Sequence, residues 1–251
     1  MRCASCGGVR PDCSRLGRVL EGGIRIDEVI GSGGMGVVYK GTKLPLGRSV
    51  AVKWLPGTGD IPKTHIKSFM REAKVLSRLR HPHIVSVLDS GNDKQDGALY
   101  LVLEYIPGDS LEHLLDKVFP LPHERTLKIL IQVLSALEEA HRHGVIHRDL
   151  KPANVLLEQV AGKGDFVKVV DFGIAKNSSP DGSALSGGMS VMGGIMGTPR
   201  YMSPEQVLGV SVDARCDVYS VGVLLSEMLP GTVPHASEDL PAMLRPPARG
   251  H

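Results

Sequence analysis

The sequence predicts an α+β protein in two lobes, a small one of five antiparallel strands with one helix and a larger, mainly helical one. Two observations lead there. Up to residue 105 the chain offers short β-branched runs separated by Gly or Pro, broken once by a stretch of helical period; beyond it helical period dominates. The chain has 251 residues, enough to bury a substantial core as one large domain or as two lobes.

IRIDEVIG (24–31), GVVYKGT (36–42) and SVAVKWL (49–55) read as three antiparallel strands. KTHIKSFMREAKVLSRLR (63–80) follows, with Ile66, Phe69, Ala73, Leu76 and Leu79 at helical spacing, and Pro82 forbids its continuation. IVSVLDS (84–90) and ALYLVLEY (98–105) complete the small lobe. IPGD (106–109) is read as a hinge. HERTLKILIQVLSALEEAHRHG then places Leu127, Leu130, Leu134 and Leu137 on one helical face, with Gly144 as its stop. A last helix, near DARCDVYSVGVLLSEML, is apolar nearly all round and is expected to be buried. The expected organisation is a tail at 1–15, a small lobe at 16–105, a large lobe at 106–235 and a divergent tail at 236–251.

With 29 basic and 27 acidic residues, the charge implies no general affinity for nucleic acid or an anionic membrane. No apolar run reaches the roughly 18 residues needed to cross a bilayer, and no signal segment is visible, so a cytoplasmic protein is expected. Four cysteines fit a reducing compartment. Cys3, Cys6 and Cys13 resemble half of a zinc knuckle, but a tetrahedral structural site needs four ligands and Cys216 is remote. A disordered tail with free thiols is the expectation.

GSGGMG (31–36) lies between two strands, and its glycines let backbone N–H groups approach phosphate oxygens. A dinucleotide-binding fold uses the same GxGxxG letters but needs a helix directly after the loop, where VVYKG reads as a strand. A flap over a nucleotide fits better. Lys53 shares a strand face with Ala51, and Glu72 borders the apolar stripe of the next helix. HRDLKPANVLL (147–157) supplies Asp149 to accept or orient a hydroxyl proton, Lys151 to balance charge on a moving phosphoryl group, and Asn154 as a neutral oxygen for a hard cation. VKVVDFG then sets a second ligand, Asp171, at a strand end, and VLL and VKVV can pair as a hairpin that fixes both ligands.

These motifs, with GTPRYMSPEQ and DARCDVYSVG, resemble the protein kinases, and most of all the bacterial serine/threonine kinases of eukaryotic type, over roughly residues 16 to 234. The resemblance implies a two-lobed protein-kinase-like fold with ATP in the cleft and γ-phosphoryl transfer to Ser or Thr hydroxyls of proteins. Ile30, Gly31, Ser32, Gly33, Gly34, Met35, Gly36 and Val37 would form the flap over the phosphates. Val38 and Ala51 would pack on adenine, and Glu104 and Ile106 would offer it backbone groups behind Leu103. Lys53 would contact phosphates and pair with Glu72. Asp149 would be the base, assisted by Lys151 and Thr198, with His147 building the loop. Asn154 and Asp171 would hold magnesium, or manganese in its place. Arg148 would receive a phosphorylated residue of the loop 174–197, with Ser190 as the favoured autophosphorylation site.

Beyond GTVPH (231–235) the family would continue with roughly three more helices, including an Arg for Glu205. ASEDLPAMLRPPARGH instead reads as disordered, so the large lobe is expected to lack its last helices and Glu205 its partner. Three explanations stay open: a truncated or frame-shifted product, a short kinase completed by a partner or by dimerisation, and a non-catalytic ATP-binding regulatory module.

Overall fold

The computed structural model describes residues 11–33, 36–55, 63–160, 164–172 and 199–230. The chain divides into two compact units, one comprising the residues up to Arg80 with Val85–Ile106, the other His81–Ile84 with Pro107 onward.

The first unit is built on an antiparallel sheet of β1 (Val19–Leu20), β2 (Ile24–Gly33), β3 (Gly36–Lys43), β4 (Arg48–Trp54), β5 (Val87–Asn92) and β6 (Leu99–Glu104), in the order β1-β2-β3-β4-β6-β5. Five of these strands were expected; β1 is a short addition at the edge. Alternation sends Tyr39, Val50, Val52, Trp54, Tyr100 and Val102 into one buried cluster with Ile24 and Ile26. Tyr39 and Tyr100 flank the Trp54 ring with centroids 5.5 and 5.3 Å away. Residues 11–15, which the sequence assigned to a tail, form a turn of 3₁₀ helix. Its Arg15 guanidinium stands 4.9 Å over the Trp54 ring and donates to Asp96 at 2.7 Å. At Gly41 a side chain would meet the Arg25 carbonyl oxygen at 2.6 Å, so β2 and β3 approach too closely there for any Cβ.

Helix α1 (Lys63–Leu76) buries Phe69, Ala73 and Leu76 and touches β5, where Ser90 Oγ lies 3.5 Å from Met70 Sδ. It is four residues shorter than its periodicity suggests, because Arg78 and Leu79 donate to carbonyls three residues back and tighten the chain before Pro82. Strand β5 starts three residues later than expected, since Ile84 belongs to the second unit, within which it forms a parallel bridge to Val169.

In the second unit, β7 (Gly108–Ser110), β8 (Val155–Val160) and β9 (Gly164–Val169) form a small sheet in that order. Val155 faces Val169 across the expected β8–β9 hairpin. Helix α2 (Leu111–Lys117), unforeseen in the sequence, starts at Ser110, whose hydroxyl accepts the His113 N–H at 3.1 Å. Helix α3 (His123–Arg142) ends before Gly144 in the left-handed region, with His141 and Arg142 in its last turn. Its buried face carries Ile129, Leu130, Val133, Ala136, Leu137 and Ala140. Leu127 and Leu134, expected on that face, are instead 55 % and 42 % exposed. The buried stripe therefore keeps Leu130 and Leu137 of the expected four and runs otherwise through small and β-branched residues. Bidentate Arg125–Asp165 bonds of 2.6 and 2.9 Å fix α3 to the β9 strand. Short α4 (Pro204–Val207) and α5 (Arg215–Met228) follow; α5 is buried through Cys216, Asp217, Ser220, Val221, Val223, Leu224 and Met228 while Val218 is exposed, so it is covered on most sides, not all.

Candidate active site

The candidate residues fall in both units. In the first, the β2–β3 turn is held by register: Gly31 faces Val38, Ser32 faces Val37 and Gly33 faces Gly36. A register shift between Val29 and Gly31 makes a bulge at Ile30, a device that re-aims a strand end. Gly34 and Met35 lie outside the described residues. Val38 faces Lys53 across β3 and β4, and Ala51 faces Leu103 across β4 and β6. Ala51, Leu103 and Ile106 are buried and apolar, as a purine-sized ligand would require. The Glu104 carboxylate accepts the Ser86 N–H at 2.8 Å, and the Glu104 N–H donates to the Ser86 carbonyl at 3.0 Å, so the strand end is held by its own residue. Lys53 is 7 % exposed, a burial that lysines rarely show unless paired. Glu72 lies on α1, but its side chain lies outside the described residues, so the expected pair is not described.

In the second unit, the segment from His147 to Asn154 and the end of β9 are bound together. His147 is fully buried. Its Nε2 donates to the Val170 carbonyl at 2.9 Å, which leaves Nδ1 to accept the Asp149 N–H at 3.3 Å. That pattern suits the neutral ring, and burial pushes the imidazole below its ordinary value against the opposing pull of Asp217, Asp149 and Asp171. The Val170 N–H donates to the Asn154 carbonyl at 3.0 Å, so Asp171, the next residue, is set beside Asn154. Phe172 packs on His147, ring centroids 4.7 Å apart.

Asn154 Nδ2 donates to the Asp149 carbonyl at 2.8 Å and lies 3.3 Å from the Asp149 carboxylate. These acceptors assign the amide nitrogen, so the amide oxygen is the atom that a hard cation could take. Lys151 Nζ stands 3.3 Å from Asp149 Oδ2. Arg148 and Asp171 both adopt positive φ, 62° and 63°, strain that persists only where surroundings over-determine it.

At Arg148 the carboxylate that does so is Asp217 on α5. Its Oδ2 accepts the His147 N–H at 2.8 Å and His141 Nε2 at 2.7 Å, and its Oδ1 accepts the Arg148 N–H at 2.9 Å. Burial opposes its charge, yet these donors and the nearby His147 outweigh burial and hold the carboxyl below the usual range. The sequence marked this stretch without assigning Asp217 a role; the available signal was an Asp inside an otherwise apolar helix.

Arg148, Asp149, Leu150 and Lys151 share a small pocket with Tyr201, Met202 and Ser220. Tyr201 Oη donates to Glu227 at 2.5 Å, and Ser220 Oγ donates to the Tyr201 carbonyl at 2.8 Å, fixing the segment after residue 198 to α5. Burial pushes the Tyr201 phenol up, with the Glu227 bond adding to it. A larger groove of about 580 Å³ runs along α3 past Arg125, Lys128 and Gln159, away from every candidate residue. Thr198, Ser190 and the loop 174–197 lie outside the described residues. Glu205 is half-buried, so the burial penalty expected for it does not apply in full.

Among the described residues no three His, Cys, Asp or Glu form a metal-binding group. The donor set Asn154 plus Asp171 is too small for an all-protein cage but fits magnesium, which is held by one or two protein oxygens together with phosphate and water. No described helix is long and apolar enough to cross a membrane.

Residues 24–245 match the family model described as Protein kinase domain, starting later and reaching further than the 16 to 234 suggested by the motifs. The chain is 44 % identical over 225 residues to the serine/threonine-protein kinase pkn3 of Myxococcus xanthus, covering 89 % of this chain and 40 % of that protein. It is 37 % identical over 236 residues to the serine/threonine-protein kinase PknB of Mycolicibacterium smegmatis, covering 90 % and 36 %. Among solved structures, the PknI kinase domain of Mycobacterium tuberculosis superposes with a TM-score of 0.66 at 29 % identity, covering 87 % of this chain and 78 % of that one. The chain thus spans less than half the length of these two relatives.

Proposed function

The chain belongs to the protein kinase family, and on that premise we propose that it transfers the γ-phosphoryl group of ATP to Ser or Thr hydroxyls of proteins. The observation that carries the reading is the bonded loop His147–Asn154, which sets a carboxylate, an ammonium and an amide oxygen in one place beside Asp171. Asp149 accepts or orients the proton of the attacking hydroxyl. Lys151, 3.3 Å from its carboxylate, balances charge on the transferring group. Asn154 and Asp171 would hold the divalent ion, magnesium by their hard oxygen donors, which when bound draws charge from the phosphates.

The flap 30–37 covers the phosphates, Lys53 contacts them with Glu72 as its counter-ion, and Val38, Ala51, Leu103, Glu104 and Ile106 take the adenine. Thr198 assists at the acceptor side, and Arg148 takes a phosphorylated serine of the loop 174–197. The work is placed in the cytoplasm, where ATP is supplied. Related kinases act on proteins, and the pocket shared by Asp149, Lys151 and Tyr201 supports an acceptor hydroxyl entering there.

The test is labelled-ATP transfer to a generic basic protein, run beside Asp149→Ala. Wild-type incorporation that the variant loses by at least about 10³-fold supports the reading. A chain that binds ATP yet labels neither itself nor any substrate is a nucleotide-binding module instead.

A further inference from the structure

Gln206, the third residue of α4, has a side chain divided between two tasks. Its Oε1 accepts the Ser203 N–H at 3.1 Å and lies 3.3 Å from Ser203 Oγ, closing the first turn of α4. Its Nε2 donates at 2.8 Å to the carbonyl oxygen of Arg148, 58 residues away. An N–H at one end and a carbonyl at the other leave the amide a single orientation that satisfies both.

The recipient matters. Arg148 sits at φ 62°, a conformation that costs a residue with a Cβ and reverts unless held. Its N–H is held by Asp217 and the following N–H, that of Asp149, faces His147 Nδ1. The carbonyl between those two groups is the third handle on the same strained turn. Rotating the Arg148–Asp149 peptide would carry the Asp149 Cα, and with it the carboxylate, away from Lys151 and Asn154. Asp217 and His147 reach this turn from α5 and from within the loop; Gln206 reaches it from α4, which follows the loop 174–197 in sequence.

We propose that Gln206 is a positioning residue that locks the Arg148–Asp149 peptide and so ties the orientation of Asp149 to the seating of α4. A displacement of the chain at 199–203 that withdraws α4 releases the Arg148 carbonyl and lets the turn relax. The inference rests on the kinase reading, because only there does the orientation of Asp149 set a rate.

The experiment uses the full chain with Gln206→Leu and Gln206→Glu, each checked for cooperative thermal unfolding and ATP affinity. In Gln206→Leu, kcat for transfer to a basic protein should fall about tenfold with KM for ATP within about twofold, since tenfold corresponds to one misplaced hydrogen-bonding group at the reacting centre. Gln206→Glu keeps the acceptor for Ser203, but its ionised oxygen opposes the Arg148 carbonyl, whereas the protonated acid donates to it. At neutral pH a carboxyl of ordinary value, about 4.3, is ionised, so kcat of Gln206→Glu should fall at least as far as that of Gln206→Leu although the side-chain volume is kept, a response that a loss of packing does not produce. Hydrogen exchange gives a readout free of activity: amides in the peptide 147–151 should lose protection about tenfold in Gln206→Leu.

Folded variants with wild-type kcat and wild-type exchange overturn the proposal, as does a Gln206→Glu variant that keeps wild-type kcat. If wild type labels no substrate, the kinase reading fails, and unchanged exchange at 147–151 still sinks the role of Gln206 by itself.

Discussion

Replacing Asp217 by Asn is the sharpest perturbation of the loop that carries Asp149, because it preserves shape and removes one acceptor and the charge. The carboxylate receives three hydrogen bonds of 2.7–2.9 Å, two of them from backbone N–H groups of His147 and Arg148. Hydrogen bonds to an ionised group are worth about 1.5–3 kcal/mol each, and a buried donor left facing another donor costs about 1–3 kcal/mol. Asn keeps one oxygen. It can serve the His141 and His147 side of the site or the Arg148 side, and its NH₂ then opposes the remaining donor. Removing a buried charge returns part of the loss, since burial already works against the ionised form. The net destabilisation should be about 2–4 kcal/mol, a large share of the roughly 5–15 kcal/mol that keeps a domain folded.

Urea unfolding followed by circular dichroism reads this directly. At a slope of about 2 kcal/mol per molar, the midpoint should drop by about 1–2 M. The pH dependence gives a second constraint. A carboxyl held below its unfolded value stabilises the fold above pH ~4 and loses that contribution as pH falls through the folded value, so the gap between wild type and Asn should be level from pH 5 to 8 and narrow only in stronger acid. Phosphoryl transfer should fall with the loop. A midpoint within about 0.2 M of wild type, with activity intact, would show that Asp217 does not hold the strained turn at Arg148.

Two further outcomes follow from the same structure. His147 is buried in its neutral form, so the unfolded chain takes up a proton below pH ~6.5 that the folded chain refuses; stability is complete above that value and should fall toward pH 5.5 by up to about 1.4 kcal/mol per pH unit, and a urea midpoint that holds level or rises over that interval refutes the assignment. Gly41→Ala drives a Cβ to 2.6 Å from the Arg25 carbonyl oxygen, so β2 and β3 must part, and a loss of about 1–3 kcal/mol is expected by the same assay, with no loss indicating that the strands are not so close.

Strands such as β3 and β8 were legible from alternation, and β4 and β6, buried at consecutive positions, from short runs of β-branched and apolar residues. The sequence could not show that Ile84 leaves its strand to bridge Val169, since periodicity says which side chains seek burial but not against which element. The same blindness turned α3: leucine spacing pointed to Leu127 and Leu134, while close packing selected Ile129, Val133, Ala136 and Ala140. The turn at Ser110 and helix α2 were missed although an N-cap serine stood before them, because seven residues carry too short a period to read.

The candidate site divides along a different line. Asp149, Lys151 and Asn154 could be proposed together because they lie close in one loop, and short spacing survives in the sequence. Asp217 and Gln206 bind that loop through its backbone, across separations of 69 and 58 residues. A backbone N–H or carbonyl looks the same at every residue, so nothing at position 148 announces that it needs an acceptor for one group and a donor for the other. What can be read in advance is the other half of each bond: a charged or amide side chain in a place where burial would otherwise penalise it. An Asp inside the apolar run of α5 has to be ligated by something, and for a carboxylate deep in a helix-rich unit the most abundant donors are main-chain amides. On that reasoning a buried polar residue far in sequence from the reacting groups identifies which turn is under strain, and the strain in turn identifies where the chemistry must be held still.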